Sequence, residues 1–146
     1  MKPGEFLQAI DDARIVAAIR EAEARSRGEI RVHVAEGKVD DARAAAERHF
    51  EKLGMTKTAE RNGVLIFVAP ARQRFAVLGD RGVHERCPEG FWEEVAAAMR
   101  EAFRAGDFTG GIVAAVARVG DELARHFPRR PGEKDENELP DAVSRD

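Results

Sequence analysis

The 146-residue chain has one cysteine, no long apolar run and little net charge, and each feature excludes a class of protein. The single thiol, Cys87, excludes both an internal disulfide and a cysteine-based zinc cluster. No stretch approaches the ~18 apolar residues that a transmembrane helix requires. Residues 1–5 contain no apolar leader, so we expect no signal peptide. These features predict a protein of the reducing cytoplasm.

The charge balance predicts which partners the protein does not have. There are 24 basic and 27 acidic residues, a formal net charge of −3. This balance gives no electrostatic reason for a nucleic-acid or membrane partner. The hydrophobic fraction of 43% is enough for one core. We expect one domain over residues 1–128, followed by a polar, flexible tail over residues 129–146.

The pattern of apolar residues predicts seven elements in the order α-β-α-β-β-α-α. They are a helix over 11–26, a strand over 29–34, a helix from 40 or 41 to 53, a strand over 64–68, a strand over 74–78, a helix that begins near 89, and a helix over 112–127. The crossover through the second helix makes the first two strands parallel. The short connection before the third strand makes that strand antiparallel. The predicted fold class is α/β, a three-layer αβα sandwich around a small mixed sheet.

This topology predicts that polar residues gather at one end of the sheet, where the first two strands begin and the third ends. The residues at that end are Arg27, Glu29, Arg61, Asn62, Asp80 and Arg81. Carboxylate and amide oxygens suit Ca²⁺ or Mg²⁺, so Glu29, Asn62 and Asp80 are candidate metal ligands. Arg61 and Arg81 are candidate contacts for phosphate or another anion. Asp107, in the glycine-rich corner over 106–111, is a further candidate ligand.

Each candidate carboxylate also has a structural explanation. Asp80 can cap the short segment that follows the third strand, and Asp107 can cap the last helix; such a cap contributes about 1 kcal/mol. Glu29 can form a surface ion pair with Arg27 or Arg31. No nucleophile is evident, since the sequence contains no Gly-x-Ser-x-Gly motif, and it contains no phosphate-binding Walker loop.

Several segments together resemble the TPM domain, also called the TPM phosphatase domain. They are residues 28–33 (GEIRVH), 61–68 (RNGVLIFV), 79–83 (GDRGV) and 103–111 (FRAGDFTGG). The resemblance covers roughly residues 6–128, and residues 137–141 (NELPD) resemble a short cytosolic bacterial branch of the family. It implies an αβα sandwich that binds a divalent metal, most often discussed as calcium, at the loops beside Asp80. It also implies site roles for Glu29, Asn62, Asp80 and Asp107. Some plant relatives are described as acid phosphatases.

Three functions are consistent with these observations. The first is a domain that binds a divalent cation, calcium or else magnesium, with little or no catalysis. The second is a metal-assisted phosphatase acting on a phosphate ester, in which Arg61 or Arg81 stabilises the phosphoryl oxygens. The third is a cytosolic adaptor whose tail docks on a protein partner through Leu139 and Val143.

Overall fold

The computed structural model describes residues 10–129 and 143–145 of the chain. Its helices and strands are α1 (Asp12–Ala24), β1 (Glu29–Val34), α2 (Ala42–Lys52), β2 (Gly63–Ala69), β3 (Arg74–Gly79), α3 (Arg81–His84), α4 (Phe91–Arg104), α5 (Phe108–His126) and β4 (Val143–Arg145). Short 3₁₀ turns occupy Met55–Lys57 and Pro70–Arg72.

The four strands form one mixed sheet in the order β3-β2-β1-β4. β1 and β2 are parallel, and β2 and β3 are antiparallel, which confirms the predicted topology. β4 is parallel to β1 and was not predicted from the sequence. Three residues are too short a segment for a period-two pattern to be recognised, although Val143 packs against the core. Residues 130–142, which include Leu139, lie outside the described part of the chain.

Helices cover both faces of the sheet, which confirms the αβα sandwich. On one face, Val32 and Ile66 belong to a core that also contains side chains of α1, α4 and α5. On the other face, Leu65 and Phe67 pack with α2, including Phe50. All seven residues of β2 are buried, as the continuous apolar run predicts for a strand covered on both sides.

The glycine-rich corner differs from the prediction, because α5 begins at Phe108 instead of Ile112. Asp107 caps this helix by accepting a hydrogen bond from the Gly110 N–H at 3.0 Å. Gly111 lies inside the helix and against α4, where an added Cβ would be 2.9 Å from the Ala102 Cβ. The glycines therefore serve helix packing as well as the turn.

The short helix α3 was also not predicted, and it depends on a glycine. The Gly82 N–H donates to the Arg61 carbonyl at 3.0 Å. A Cβ at Gly82 would lie 2.4 Å from the Glu60 carbonyl oxygen and 2.6 Å from the Arg61 carbonyl oxygen. Because both obstacles are backbone atoms, only glycine lets α3 lie this close to the loop before β2.

We expect Gly82→Ala to lower the free energy of unfolding by about 1–3 kcal/mol, the usual cost of overpacking. Gly37→Ala is the matched control, since a Cβ at Gly37 would meet no atom within 4 Å. Urea unfolding of the two variants measures the difference. Equal stability of both variants would contradict the close docking of α3.

Candidate functional site

The ends of three strands bring Glu29, Asn62 and Asp80 to one end of the sheet, as the topology predicts. Glu29 is opposite Gly63 in the parallel register. The Glu29 N–H donates to the Asn62 carbonyl at 3.2 Å, and the Asp80 N–H donates to the Gly63 carbonyl at 2.9 Å. All three candidate residues are buried: 3% of Glu29, 1% of Asn62 and 7% of Asp80 is exposed.

The Asp80 carboxylate is held by a guanidinium and by a helix N-terminus. Arg61 Nε donates to Oδ2 at 2.6 Å, and Arg61 Nη2 donates to Oδ1 at 2.9 Å. Oδ1 also accepts from the Arg81 N–H at 2.8 Å, which caps α3. The capping alternative for Asp80 is therefore confirmed. The hydrogen bonding to Asp80 and the negative charge of that carboxylate raise the pKa of Arg61.

Arg61 itself has an unusual backbone conformation, with a φ of 51°. This left-handed conformation is uncommon for a residue with a Cβ. Two contacts hold Arg61 in this conformation. Its carbonyl accepts a hydrogen bond from the Gly82 N–H of α3, and its side chain donates to Asp80. The side chain of Arg61 nevertheless remains 31% exposed, so the guanidinium borders on solvent.

Glu29 and Asp80 flank Gly63 and are not neighbours of each other. Two strand spacings, about 10 Å, separate their backbones across the sheet. The space above Gly63 is filled by Met55, whose Cε would be 3.5 Å from a Cβ at that position. The two carboxylates therefore share one end of the sheet without forming a closed pair.

Asn62 has a polar side-chain atom that forms no hydrogen bond with the described residues. Its Nδ2 donates to the Arg27 carbonyl at 2.9 Å. Its Oδ1 is buried and has no hydrogen-bond partner within the described residues. An unpartnered buried amide oxygen costs about 1–3 kcal/mol, so a ligand that supplied a partner would gain binding energy there.

Asp107 does not join these residues, which corrects the prediction that groups it with Asp80. It caps α5, and the first residue of that helix, Phe108, lines a cavity with Val68 and Phe75. Val68 is near the end of β2 and Phe75 near the start of β3, so Asp107 is at the opposite end of the sheet. The lengths of α4 and α5 determine where Asp107 lies. The sequence pattern placed the start of α5 at Ile112, four residues later than in the structure.

The remaining charges at the Asp80 end are arranged as ion pairs and exposed groups. Arg27 binds Glu60 through two contacts of 3.0 Å. Arg81 is exposed. Across residues 10–129 and 143–145, no three histidine, cysteine or acidic side chains are grouped closely enough to hold a metal ion.

A second polar cluster was not predicted from the sequence, because its members come from three separate elements, β1, α2 and β4. The His33 ring stacks on the His49 ring with centroids 4.3 Å apart, and it also stacks on Phe67. His33 Nδ1 is 2.7 Å from the Ser144 hydroxyl of β4. The alternation of β1 places His33 on the α2 side of the sheet, but only the unpredicted β4 brings Ser144 to it.

Comparisons with known proteins agree with this fold. The TPM domain family matches residues 1–122. The solution structure of the BA42 protein from Bizionia argentinensis has 36% sequence identity and a TM-score of 0.83, and the match covers 92% of each chain. A search of curated proteins found no match.

Two more distant solution structures share the fold alone. The N-terminal domain of the cg2496 protein from Corynebacterium glutamicum has 18% identity and a TM-score of 0.59, with 76% of this chain and 70% of that chain covered. The N-terminal domain of a P. gingivalis protein has 19% identity and a TM-score of 0.62, with 78% and 76% covered.

None of the described helices has the length and apolar character needed to cross a bilayer. The match over most of the chain, together with the strand order and the agreement with BA42, leads to one conclusion. This chain belongs to the TPM domain family.

Proposed function

We propose that this TPM domain binds a divalent cation, calcium in preference to magnesium, at the end of the sheet that carries Asp80. The observation that supports it most is the buried Asn62 Oδ1, which has no partner within the described residues. It is a hard oxygen donor beside the backbone of two buried carboxylate residues, Glu29 and Asp80. The cytoplasmic location predicted from the sequence is part of this proposal.

The donor chemistry at this end fits a hard cation. Asn62, Asp80 and Glu29 are the residues that would hold it, and their oxygens are of the kind that Ca²⁺ prefers. Ca²⁺ accepts irregular sets of six to eight oxygens, whereas Mg²⁺ demands near-octahedral geometry. Oxygen donors that come from separate strands form an irregular set, and such a set favours the more tolerant ion.

A divalent cation would have to displace Arg61 from Asp80 in order to bind there. Both oxygens of Asp80 accept hydrogen bonds from this guanidinium, which already supplies a positive charge. A divalent cation competes with Arg61 for the same carboxylate, and the partly exposed Arg61 side chain can turn toward solvent. Arg61 thus weakens cation binding, and its removal strengthens it.

Metal-assisted hydrolysis of a phosphate ester has less support as a function of this end. Arg61, one of the two candidate phosphate contacts, is engaged by Asp80, which leaves the exposed Arg81. The nearby Ser26 is 1% exposed, and its hydroxyl accepts a hydrogen bond from the Gly28 N–H at 3.1 Å. This serine is therefore not placed to act as a nucleophile.

The strand β4 weakens the adaptor hypothesis. Val143, one of the two proposed anchors, pairs with β1 of the same chain and packs on its core. Arg145 binds Asp12 of α1. A tail that docks on its own sheet presents fewer anchors to a partner, and residues 137–141 lie outside the described part of the chain.

Calorimetric titration of the full chain with CaCl₂ and with MgCl₂ tests the cation proposal. We expect one calcium site, weaker magnesium binding, and at least a tenfold loss of calcium affinity in Asp80→Asn, because the carboxylate charge is removed. Arg61→Gln should bind calcium several-fold more tightly, because the competing cation is gone.

Asp107→Asn is the matched control, since Asp107 is also an N-cap aspartate but at the other end of the sheet. Its calcium affinity should equal that of the unmodified protein. Absence of calcium binding, equal affinity in Asp80→Asn, or weaker binding in Arg61→Gln would each contradict the proposal. Thermal melting of each variant establishes that it is folded.

Thiol chemistry is not part of the proposed function, because the only cysteine is poorly ionised. Burial and the negative charge of Glu122 raise the pKa of Cys87 from 9.0 to about 11. At pH 8 the thiolate fraction is therefore about 100-fold smaller than in the unfolded chain. The folded state favours the neutral thiol, so this contribution to stability is present below pH 9 and declines as the pH rises toward 11.

We expect iodoacetamide to alkylate Cys87 at pH 8 about 100-fold more slowly in the folded protein than in urea. The folded-state rate should rise about tenfold per pH unit up to about pH 11. Mass spectrometry of timed samples measures both rates. Equal rates for the folded and unfolded chain would show that the thiol is ordinary.

A further inference from the structure

Five arginines within residues 10–129 and 143–145 are partly buried: Arg27, Arg31, Arg61, Arg118 and Arg129. In four of them the guanidinium donates to a carboxylate or carbonyl oxygen at 2.6 to 3.1 Å. Arg31 is the exception. Its Nε is buried without a hydrogen-bond partner, and its guanidinium forms no ion pair in the part of the chain that the structure describes.

The paired arginines show which edge of the guanidinium this protein uses. Arg27 and Arg61 each donate from Nε and Nη2 together to the two oxygens of one carboxylate. Arg129 uses the same two nitrogens on two backbone carbonyls. Arg31 has the same edge, but its buried Nε has no acceptor among the described residues. A buried donor without an acceptor is unfavourable, so a ligand that supplied one would gain binding energy there.

The positive charge of Arg31 is also unbalanced. Burial lowers the pKa of Arg31, whereas hydrogen bonding to Asp80 raises the pKa of Arg61. Arginine nevertheless stays protonated at neutral pH. Glu29 precedes Arg31 on the same face of β1, but the two side chains form no ion pair. A partly buried charge without a counter-ion costs stability, which favours a role for Arg31 other than folding.

Arg31 lies on the α2 side of the sheet, at the flank of that helix. It is opposite Leu65 in the register of β1 and β2, and Leu65 belongs to the core beneath α2. Because α2 packs on β2 and β3, the same face of β1 lies beside the helix. The next residue of this face, His33, stacks on His49 and contacts Ser144 of β4. Arg31 is partly exposed, so a ligand can reach it from solvent along the side of α2.

The edge of the guanidinium defines the ligand chemistry. Its Nε–H and one Nη–H point in parallel and match two oxygens that share a negative charge. Carboxylate and phosphate groups have such a pair of oxygens, whereas chloride offers a single point of charge and a neutral molecule offers none. The imidazole and hydroxyl groups beside Arg31 carry no negative charge that would repel an anion.

We propose that Arg31 binds a small oxyanion, a carboxylate or phosphate group, at the flank of α2. The group accepts hydrogen bonds from Nε and Nη of Arg31 in the way that the Asp80 carboxylate accepts them from Arg61. The site uses none of the residues proposed to hold the divalent cation. Either proposal can therefore fail without the other.

The test is an NMR titration of the ¹⁵N-labelled full chain with sodium phosphate and with sodium acetate, in calcium-free buffer whose ionic strength is held constant with sodium chloride. We expect the Arg31 Nε–H signal to shift and saturate with at least one of the two anions. The anion that saturates at the lower concentration identifies the preferred group. No saturable shift with either anion would overturn the proposal.

Substitutions separate the charge of Arg31 from its geometry, with the backbone amides of Val32 and His33 as the signals followed. Arg31→Gln should bind the preferred anion at least tenfold more weakly, because the charge and the paired donors are both lost. Arg31→Lys keeps only the charge, so its affinity should lie between the two. Arg118→Gln is the matched control, since Arg118 is partly buried but already binds Glu94 at 3.1 Å. It should bind the anion as the unmodified protein does.

Unchanged affinity in Arg31→Gln or in Arg31→Lys, or an equal loss in Arg118→Gln, would also overturn the proposal. Thermal melting in chloride buffer establishes that each variant is folded, and it provides a second measurement on Arg31→Met. This variant should melt at a higher temperature than the unmodified protein, because an apolar side chain replaces an unpaired, partly buried charge. A lower melting temperature would show that the guanidinium serves the fold and would contradict a role in binding.

Discussion

The burial of β2 along its whole length is the constraint on which the rest of the structure depends. All seven residues are buried, with α2 on one face and the core of α1, α4 and α5 on the other. β2 contributes no polar side chain of its own, and the candidate site residues Arg61 and Asn62 lie in the segment that precedes it. Val68, near the other end of β2, borders the cavity that Phe75 and Phe108 also line.

The charged side chains at the two ends of β2 have different surroundings. At the first end, Asp80 is paired with Arg61 and fixed on α3, so its charge is balanced inside the protein. At the second end, Arg74 and Arg100 line a partly aromatic cavity that has no acidic wall among the described residues. The first arrangement balances its charge inside the protein, whereas the guanidinium groups of the second are exposed.

The sequence predicted the features that depend on local patterns. The alternation in β1 and the continuous apolar run in β2 identified both strands, and the right-handed crossover rule then fixed their parallel pairing. That pairing was sufficient to bring Glu29, Asn62 and Asp80 to one end of the sheet. Asp107 was also recognised as a possible helix cap, because a short carboxylate before an apolar helical pattern is typical of that role, and Asp80 was recognised as a possible cap of the segment after β3.

Features that depend on distant contacts were not predictable in the same way. The position of Asp107 depends on the lengths of α4 and α5, and the hold of Arg61 on Asp80 depends on the backbone contact that Gly82 permits. The pairing of β4 with β1 joins residues more than 100 positions apart. No local pattern in the sequence therefore predicts the contact between Ser144 and His33.

Calcium titration of the ¹⁵N-labelled full chain, followed by NMR, tests most directly whether a cation replaces Arg61 at Asp80. The Arg61 Nε–H and the Asn62 side-chain amide should shift together and saturate with the same affinity, because one ligand breaks the first contact and approaches the second group. Saturating calcium that leaves both signals in place, or that shifts the start of α5 around Gly110 instead, would contradict a cation site at Asp80.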